Sequence, residues 1–316
     1  MHYQISTTND YHLQDIKTLG WELTVCNALD SPDSPCRKFL KEPDSYGHLL
    51  YRHLERFIPM KRIRNIIEVG GGYGCLMRDF LRSRPDMKAT MLDISPFLLE
   101  KQRECLKDNA VDYVRLDFLE AEPSFLQGFD LAVFNENLGD FPTVLDVGTD
   151  MLRKNSGDLP EPALKIRECF TRYGFKIPEQ KHFNFNIGAV DALEKICSAA
   201  IPYIFLSEHS CEASVPAALK TSLQIDSSGN PERIALKGHD EYTIRFSHLG
   251  DVAKYHGYDV IRGQMADFIL PDFSDRVMAA LRSTISATDE YEIIRQFIYD
   301  LYKYEYLILI RKGEAI

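Results

Sequence analysis

The chain has 316 residues and a formal net charge of −10, from 47 acidic and 37 basic residues. This length allows one large domain with a sizeable core. The acidic balance argues against a general nucleic-acid-binding protein, which would normally present a basic surface. No apolar run reaches the roughly 18 residues that a membrane helix needs.

The cysteines and the N-terminus bear on location. The seven cysteines include no C-x-x-C pair, which is typical of reduced thiols in a cytoplasmic protein. The first residues lack the apolar core of a signal peptide. We therefore expect a cytoplasmic protein without a membrane partner.

Domain organisation follows from the pattern of predicted elements. Residues 1–60 precede the alternating strand–helix pattern and predict an N-terminal helical segment or lid, with a helix near 46–57. Residues 61–316 predict the main domain, interrupted by proline-rich or polar insertions at 142–185 and 210–247. A short helix is expected near 161–173.

The most informative segment is a strand that runs into glycines. Residues 63–69 predict a buried strand that carries Glu68, and Gly70, Gly71, Gly72 and Gly74 follow. Helical spacing begins at Cys75, so backbone N–H groups and a helix N-terminus face whatever lies over the loop. A dinucleotide fingerprint would need a small third residue, which Cys75 and Met77 do not supply in either register.

Three further strands predict polar side chains at the same sheet edge. They cover residues 88–93, 112–118 and 129–134, and they end at Asp93, near Asp117 and Phe118, and before Asn135 and Glu136. A carboxylate at the end of the second strand can accept hydrogen bonds from both hydroxyls of a ribose.

The remaining elements complete an α/β sheet. Helical spacing at 188–199 precedes a fifth strand at 202–206 that leads to Glu208 and His209. A short strand at 242–246, a helix at 249–256, a sixth strand from Tyr258, a helix at 290–302 and a final strand at 306–312 follow. We expect a doubly wound, mainly parallel sheet of seven strands whose insertions form a lid.

The pattern Glu68-x-Gly70-x-Gly72-x-Gly74 resembles motif I of the class I S-adenosylmethionine (SAM) methyltransferases. The resemblance implies a Rossmann-like fold, SAM as cofactor and S-adenosylhomocysteine as product. It also implies that the acid of the first strand engages the methionine amino group and that the glycines make room for the cofactor. The cofactor-binding residues expected on this basis are Glu68, Gly70, Gly71, Gly72, Gly74, Asp93, Ile94, Asp117, Phe118 and Asn135.

Residues 45–145 resemble the MidA-like methyltransferases more closely. The matching segments are Gly74-x-Leu76-Met77-x-Asp79, Asp93-Ile94-Ser95-Pro96-x-Leu98 and Asn135-Glu136-Asn137-Leu138-Gly139-Asp140-Phe141-Pro142. The chain diverges from that family at Asp93 and at residues 137–140. This resemblance implies symmetric dimethylation of a protein arginine as one hypothesis.

Three residues are candidates for catalysis. Glu136 and Asp140 could orient a guanidinium or amine acceptor. Alternatively, Glu136 could only shape the cofactor pocket with Asn135, and Asp140 could cap a helix. A hydroxyl acceptor would need a base, for which His209 is the candidate. No spacing typical of metal ligands is present, so no metal is expected.

The acceptor stays open between a small molecule and a protein, and between nitrogen and oxygen. A catalytically silent SAM-binding assembly scaffold is the alternative, because the fold does not guarantee activity. We allow for a homodimer.

Overall fold

The computed structural model describes residues 3–14, 24–107, 109–153, 159–282 and 289–314. Within these ranges the strands are β1 Ile5–Ser6, β2 Asn65–Val69, β3 Lys88–Asp93, β4 Val111–Arg115, β5 Leu131–Asn135, β6 Thr143–Gly148, β7 His182–Phe185, β8 Tyr203–His209, β9 Arg233–Ala235, β10 Asp240–Tyr242, β11 Tyr258–Gln264 and β12 Tyr304–Arg311. The helices are α1 Asn9–Leu13, α2 Val25–Ala28, α3 Tyr46–Leu54, α4 Cys75–Ser83, α5 Pro96–Leu106, α6 Pro123–Leu126, α7 Ala163–Tyr173, α8 Ile187–Ser198, α9 Phe246–Tyr255, α10 Asp275–Arg282 and α11 Asp289–Lys303.

A seven-stranded sheet with the order β11-β12-β8-β5-β2-β3-β4 forms the centre of the protein. β12 pairs antiparallel with both β8 and β11, and the other neighbouring strands are parallel. The predicted fold class is confirmed, including the antiparallel last strand. The order reverses between β2 and β5, which is where an open α/β sheet binds its ligand.

Apolar runs explain why the central strands occupy these positions. Residues 131–134 of β5 are all fully buried, as expected for a parallel strand covered on both faces. One face of the sheet packs against α3, α4, α10 and α11, and the other against α7, α8 and α9. The helices therefore hold the carboxyl ends of the parallel strands at one edge.

The predicted strand boundaries differ from the structure in two places. The third predicted strand, 112–118, ends at Arg115, because Asp117 accepts a hydrogen bond from the backbone N–H of Leu119 and starts a turn. Residues 242–246 were predicted as one strand, but β10 ends at Tyr242 and α9 begins at Phe246. Ile244 between them makes only an isolated bridge with Ser210.

The first predicted insertion, residues 142–185, has more order than its sequence indicated. α7 matches the helix expected near 161–173, but β6 and β7 were not predicted. They form a three-stranded antiparallel sheet with β1, in which Ile5 lies opposite Val144. This sheet ties the N-terminal segment to the body of the protein.

Two further observations concern the state of the cysteines and the length of the apolar helices. All seven cysteines are free thiols. In the described ranges, no helix is long and apolar enough to cross a membrane.

A glycine at the contact of α3 and α4 gives a stability prediction. A Cβ atom added at Gly47 would lie 2.6 Å from Asp79 Cβ and 2.9 Å from the carbonyl oxygen of Leu76. We expect Gly47→Ala to destabilise the protein by about 1–3 kcal/mol, because the helices must separate. Thermal unfolding measures this change.

Gly250 provides the matched control, since it also lies in a helix. A Cβ there would have Val260 Cγ1 at 3.9 Å as its nearest neighbour. Gly250→Ala should leave the unfolding temperature unchanged or raise it, because alanine favours helix by about 1 kcal/mol over glycine. Equal effects of the two substitutions would contradict the close-contact explanation.

Candidate functional site

A cavity of about 640 Å³ opens at the carboxyl ends of the parallel strands. Its wall combines the glycine loop, the strand ends, the N-terminal segment, the β9–β10 hairpin and α11. The predicted site residues that line it are Glu68, Gly70, Gly71, Gly72, Asp93, Ile94, Asp117, Phe118, Asn135, Glu136, Asp140 and His209. Its volume is within the range of small-molecule sites.

The two predicted lid insertions contribute differently. The second supplies wall residues between Asp226 and Thr243. None of the described residues in 142–185 lines the cavity, because their strands pair with β1 and α7 packs against α9. The expectation that both insertions cover the site is therefore wrong for the first. The described parts of the N-terminal segment also contribute wall residues, namely Thr8, Asn9, His12, Thr24, Cys26 and Asn27.

The glycine loop has the backbone that its sequence requires. Gly70, Gly72 and Gly74 have φ values of +62°, +52° and +83°, which disfavour other residues. A Cβ at Gly70 would lie 2.5 Å from Asn137 Nδ2, whereas one at Gly72 would meet nothing within 4 Å. Gly72 thus presents bare backbone to the open cavity.

Gly74 does not line the cavity. It precedes α4, and a Cβ there would lie 3.4 Å from Gln102 Cα and Leu106 Cδ1. The structure therefore favours a turn and close packing against α5 as its role, and direct cofactor contact stays a prediction.

Glu68 is a buried acid at the cavity wall. Its side chain is 2% exposed, and its Oε2 atom has no hydrogen-bond partner within the described part of the chain. Burial, together with the charge of Asp93, raises the pKa of Glu68 to about 8. An unpartnered buried acid is unfavourable, so these residues fit the ammonium group of a SAM-like amino acid.

Asp93 is fixed by local hydrogen bonds. Its Oδ1 accepts from the Ser95 N–H at 2.9 Å, and its Oδ2 accepts from Gln102 Nε2 at 3.0 Å. Gln102 also donates to the Gly72 carbonyl oxygen at 3.1 Å. Burial raises the pKa of Asp93 to about 6. Each oxygen has remaining acceptor capacity, which suits a pair of ribose hydroxyls.

Asp117 and Phe118 lie at the end of the wall beyond β4. Asp117 Oδ2 accepts a hydrogen bond from Asn9 Nδ2 of the N-terminal segment at 2.9 Å. Phe118 is 3% exposed and packs edge-on against Phe134 with ring centroids 5.0 Å apart. The first residue of α1 therefore holds the N-terminal segment at this end of the cavity.

Glu136 connects the sheet edge to the N-terminal segment. Its Oε2 accepts the Val25 N–H at 2.8 Å and its Oε1 accepts the Cys26 N–H at 3.1 Å, at the start of α2. Its φ of +55° is unusual for a non-glycine residue. Burial raises the pKa of Glu136 to about 7, although these backbone hydrogen bonds oppose the rise.

Asn135 supports Glu136 from the strand end. Its Oδ1 accepts hydrogen bonds from Ser207 Oγ at 2.8 Å and from the Tyr46 hydroxyl. Its Nδ2 donates to Glu136 Oε1 at 3.1 Å. The amide is thus oriented by two hydroxyls and cannot turn freely.

His209 lies between two carboxylates. Its Nδ1 is 3.5 Å from Glu208 Oε1 and its Nε2 is 3.6 Å from Asp300 Oδ1. Burial lowers the pKa of His209, but the two carboxylates outweigh it and raise the pKa to about 9. The ring is therefore protonated near neutral pH, which disfavours the predicted role as a base.

Several wall residues were missed by sequence reasoning. Apart from Asn137, which lies inside the 135–142 motif, they come from segments without a motif, and they are Asn9, His12, Asn137, Asp300, Lys303 and Tyr304. For α11 a signal was present in the sequence, because the charged residues Asp300 and Lys303 lie among apolar residues at the end of an amphipathic helix. Both are buried.

The geometry agrees with comparisons to known proteins. Residues 51–207 match a family described as "Putative S-adenosyl-L-methionine-dependent methyltransferase". A segment of 71 residues is 35% identical to a malonyl-[acyl-carrier protein] O-methyltransferase from Acetivibrio thermocellus. That match covers 22% of this chain and 24% of the relative, so the chain spans about a quarter of that protein.

Two solved structures share the fold along nearly the whole chain. An uncharacterized superfamily protein from Burkholderia thailandensis has a TM-score of 0.57 at 14% identity, covering 99% of this chain and 88% of that one. A member of the same superfamily from that organism, bound to S-adenosylhomocysteine, has a TM-score of 0.53 at 13% identity, covering 99% and 89%. At these identities the likeness establishes the fold.

The strand order, the glycine loop and the acidic strand ends define a Rossmann-like methyltransferase. The family match covers residues 51–207, just under half of the chain, and the fold is that of the class I SAM-dependent methyltransferases. SAM is accordingly its cofactor.

Glu68 gives a pH prediction for cofactor binding. Its raised pKa means that it is mostly protonated at pH 6 in the unbound protein, whereas a bound ammonium group favours the carboxylate. The affinity for S-adenosylhomocysteine should therefore rise with pH, by up to about tenfold per unit between pH 6 and 7.5. Calorimetry across this range measures the slope.

Glu68→Gln is the diagnostic variant, because glutamine keeps the shape and does not titrate. It should bind more weakly and lose most of the slope. Asp93 and Glu136 also titrate in this range, so the informative quantity is the difference between wild type and variant. An unchanged slope in Glu68→Gln would assign the proton to another group.

Proposed function

We propose that this protein transfers the methyl group of SAM to a nitrogen atom of a cationic acceptor, either an amine or a guanidine. The observation that carries the proposal is the charge of the cavity wall beyond the cofactor-binding strand ends. Six carboxylates line that part, against two lysine or arginine side chains and the protonated ring of His209. The carboxylates are Glu136, Asp140, Asp226, Glu232, Glu241 and Asp300, and the bases are Arg233 and Lys303.

The two bases do not offset this charge for a ligand. Lys303 Nζ already binds Glu232 Oε2 at 3.1 Å and the Asp226 carbonyl oxygen at 2.7 Å. Arg233 pairs with Asp240 at 2.8 Å, and its side chain is largely exposed. A cavity lined by one sign of charge concentrates ligands of the opposite sign.

Glu136 is the candidate base that takes a proton from the methyl acceptor. A protonated amine must lose a proton before or during its attack on the methyl carbon, and a base with a pKa near the working pH is best suited to accept it. The pKa of Glu136 is about 7. Its carboxylate lines the cavity, and the transfer itself depends mainly on positioning the nitrogen in line with the sulfonium.

The test uses matched acceptors and SAM carrying a tritiated methyl group. Free arginine and agmatine are compared with citrulline, the neutral analogue of arginine, and a lysate fraction is separated into protein-bound and soluble label. We expect label on a guanidinium or amine nitrogen of the cationic acceptors and none on the neutral ureido group that replaces the guanidinium in citrulline. Protein-bound label in hydrolysed dimethylarginine would identify the MidA-like activity.

Two outcomes would contradict the proposal. Label on hydroxyl or carboxyl acceptors would show an O-methyltransferase. Cofactor binding without transfer of the labelled methyl group to any lysate component would favour the catalytically silent assembly scaffold.

The predicted cytoplasmic location and homodimer belong to this proposal as well. The seven free thiols support a reducing compartment. Light scattering of the purified protein measures the mass, which should be twice the 36.3 kDa of one chain if a homodimer forms.

A further inference from the structure

Four potential metal ligands from three distant chain segments meet beside the cavity. His12 lies on α1, Asp140 follows β5, His239 precedes β10, and Glu241 lies within β10. His12 Nε2 is 3.0 Å from Asp140 Oδ1, and His239 Nε2 is 3.1 Å from Glu241 Oε1. Donor atoms of Asp140, His239 and Glu241 all lie within 4.8 Å of one another. We call these four side chains the His–carboxylate cluster.

We propose that the His–carboxylate cluster binds one divalent transition-metal ion of the zinc type. Zinc binds imidazole nitrogen and carboxylate oxygen at about 2.0–2.2 Å, so neighbouring donors of a tetrahedral site lie about 3.3 Å apart. The two observed pairs are close to this spacing. Among Asp140, His239 and Glu241 the wider separations must shorten by at most about 1.5 Å, which the partly exposed Asp140 and Glu241 side chains can supply, and His12 joins the site through its contact with Asp140.

Charge and burial favour a cation over a simple hydrogen-bond network. Two carboxylates and two neutral imidazoles carry a charge that a divalent ion neutralises. The His239 side chain is 4% exposed, and its Nδ1 is buried with no hydrogen-bond partner among the described residues. The ion would bind at Nε2, the nitrogen that faces Glu241, so the unpartnered Nδ1 is not itself the ligand atom. The Tyr11 ring stacks on His239 at 4.0 Å and orients it.

The ion would fasten the N-terminal segment across the cofactor cavity. His12 belongs to the same short segment as Thr8, which donates to the Asp140 carbonyl oxygen at 3.0 Å, and Asn9, which donates to Asp117 at 2.9 Å. A metal bond between His12 and the hairpin strengthens these contacts. The proposed role of the ion is thus to hold the N-terminal segment closed over the cofactor cavity. This role is independent of whether the methyl acceptor is cationic.

Calorimetric titration of the metal-stripped full chain with Zn²⁺ tests the site. We expect one ion per chain, and at least about tenfold weaker binding in His239→Ala and in Glu241→Gln. The control is His182→Ala, since His182 pairs with Asp146 at 3.1 Å outside the cavity. Circular dichroism confirms that each variant is folded, and Mg²⁺ should bind poorly because the site offers two nitrogens.

Failure to bind stoichiometric Zn²⁺, or equal binding by wild type, His239→Ala and Glu241→Gln, would overturn the proposal. The closure role predicts that Zn²⁺ slows S-adenosylhomocysteine dissociation severalfold in wild type and not in His12→Ala. An unchanged dissociation rate would overturn that role. Cofactor binding without Zn²⁺ is measured in the same series, so a failed metal site is distinguishable from a failed cofactor site.

Discussion

Gly72→Leu is expected to abolish SAM binding while the protein stays folded. Gly72 presents bare backbone to the cavity, and a Cβ there would meet no protein atom within 4 Å. The leucine side chain would therefore fill the space above the loop that the cofactor needs. We expect an affinity loss of at least about a hundredfold, measured by calorimetry with S-adenosylhomocysteine.

Backbone strain must be separated from blockage of the cavity. Gly72 has a φ of +52°, so any side chain there costs about 1 kcal/mol or more. Gly174, at the end of α7, has a φ of +67° and also has nothing within 4 Å of an added Cβ, but it does not line the cavity. Gly174→Leu should lose similar stability and bind normally. Normal binding by Gly72→Leu would refute the cofactor position.

Glu136→Gln should lower turnover by about a hundredfold or more, and SAM affinity should change little. The carboxylate lines the part of the cavity proposed for the acceptor, while the proposed cofactor contacts other than Asn135 come from β2, the glycine loop, β3 and the turn after β4. Loss of a positioned charge that acts in the transition state typically has an effect of this size. Steady-state kinetics and calorimetry measure the two quantities separately.

The control for Glu136 concerns α2, whose first N–H groups Glu136 also holds. Thr24→Ala removes a different cap from this helix, since Thr24 Oγ1 accepts from the Asn27 N–H at 3.1 Å. It leaves the charge of the cavity unchanged. If capping were the whole role of Glu136, both variants would lose activity to a similar, modest extent. A much larger loss in Glu136→Gln supports the acceptor role.

Much of the fold was predictable because its signals are local. The predicted strand at 88–93 matches β3, and the strands around Ile66 and Ala132 lie within about two residues of prediction, because continuous apolar runs mark strands covered on both faces. β6 and β7 were missed because their sequence has little alternation, and because β6 pairs with the distant β1 on one side and with β7 on the other.

The candidate site was predictable only where a glycine motif or a strand end marks it. Every predicted residue except Gly74 lines the cavity. The closure of the site was not predictable, because Asn9 reaches Asp117 and Val25 reaches Glu136 across more than a hundred residues of sequence. The effect of Glu208 and Asp300 on His209 likewise depends on how β8 and α11 meet in the folded protein.

A crystal structure with S-adenosylhomocysteine would show directly whether the cofactor binds over the glycine loop. We expect its amino group within hydrogen-bond distance of Glu68 Oε2, its ribose hydroxyls at Asp93, and its sulfur facing the Glu136 end of the cavity. A ligand bound elsewhere, or one whose ribose lies away from Asp93, would contradict this expectation.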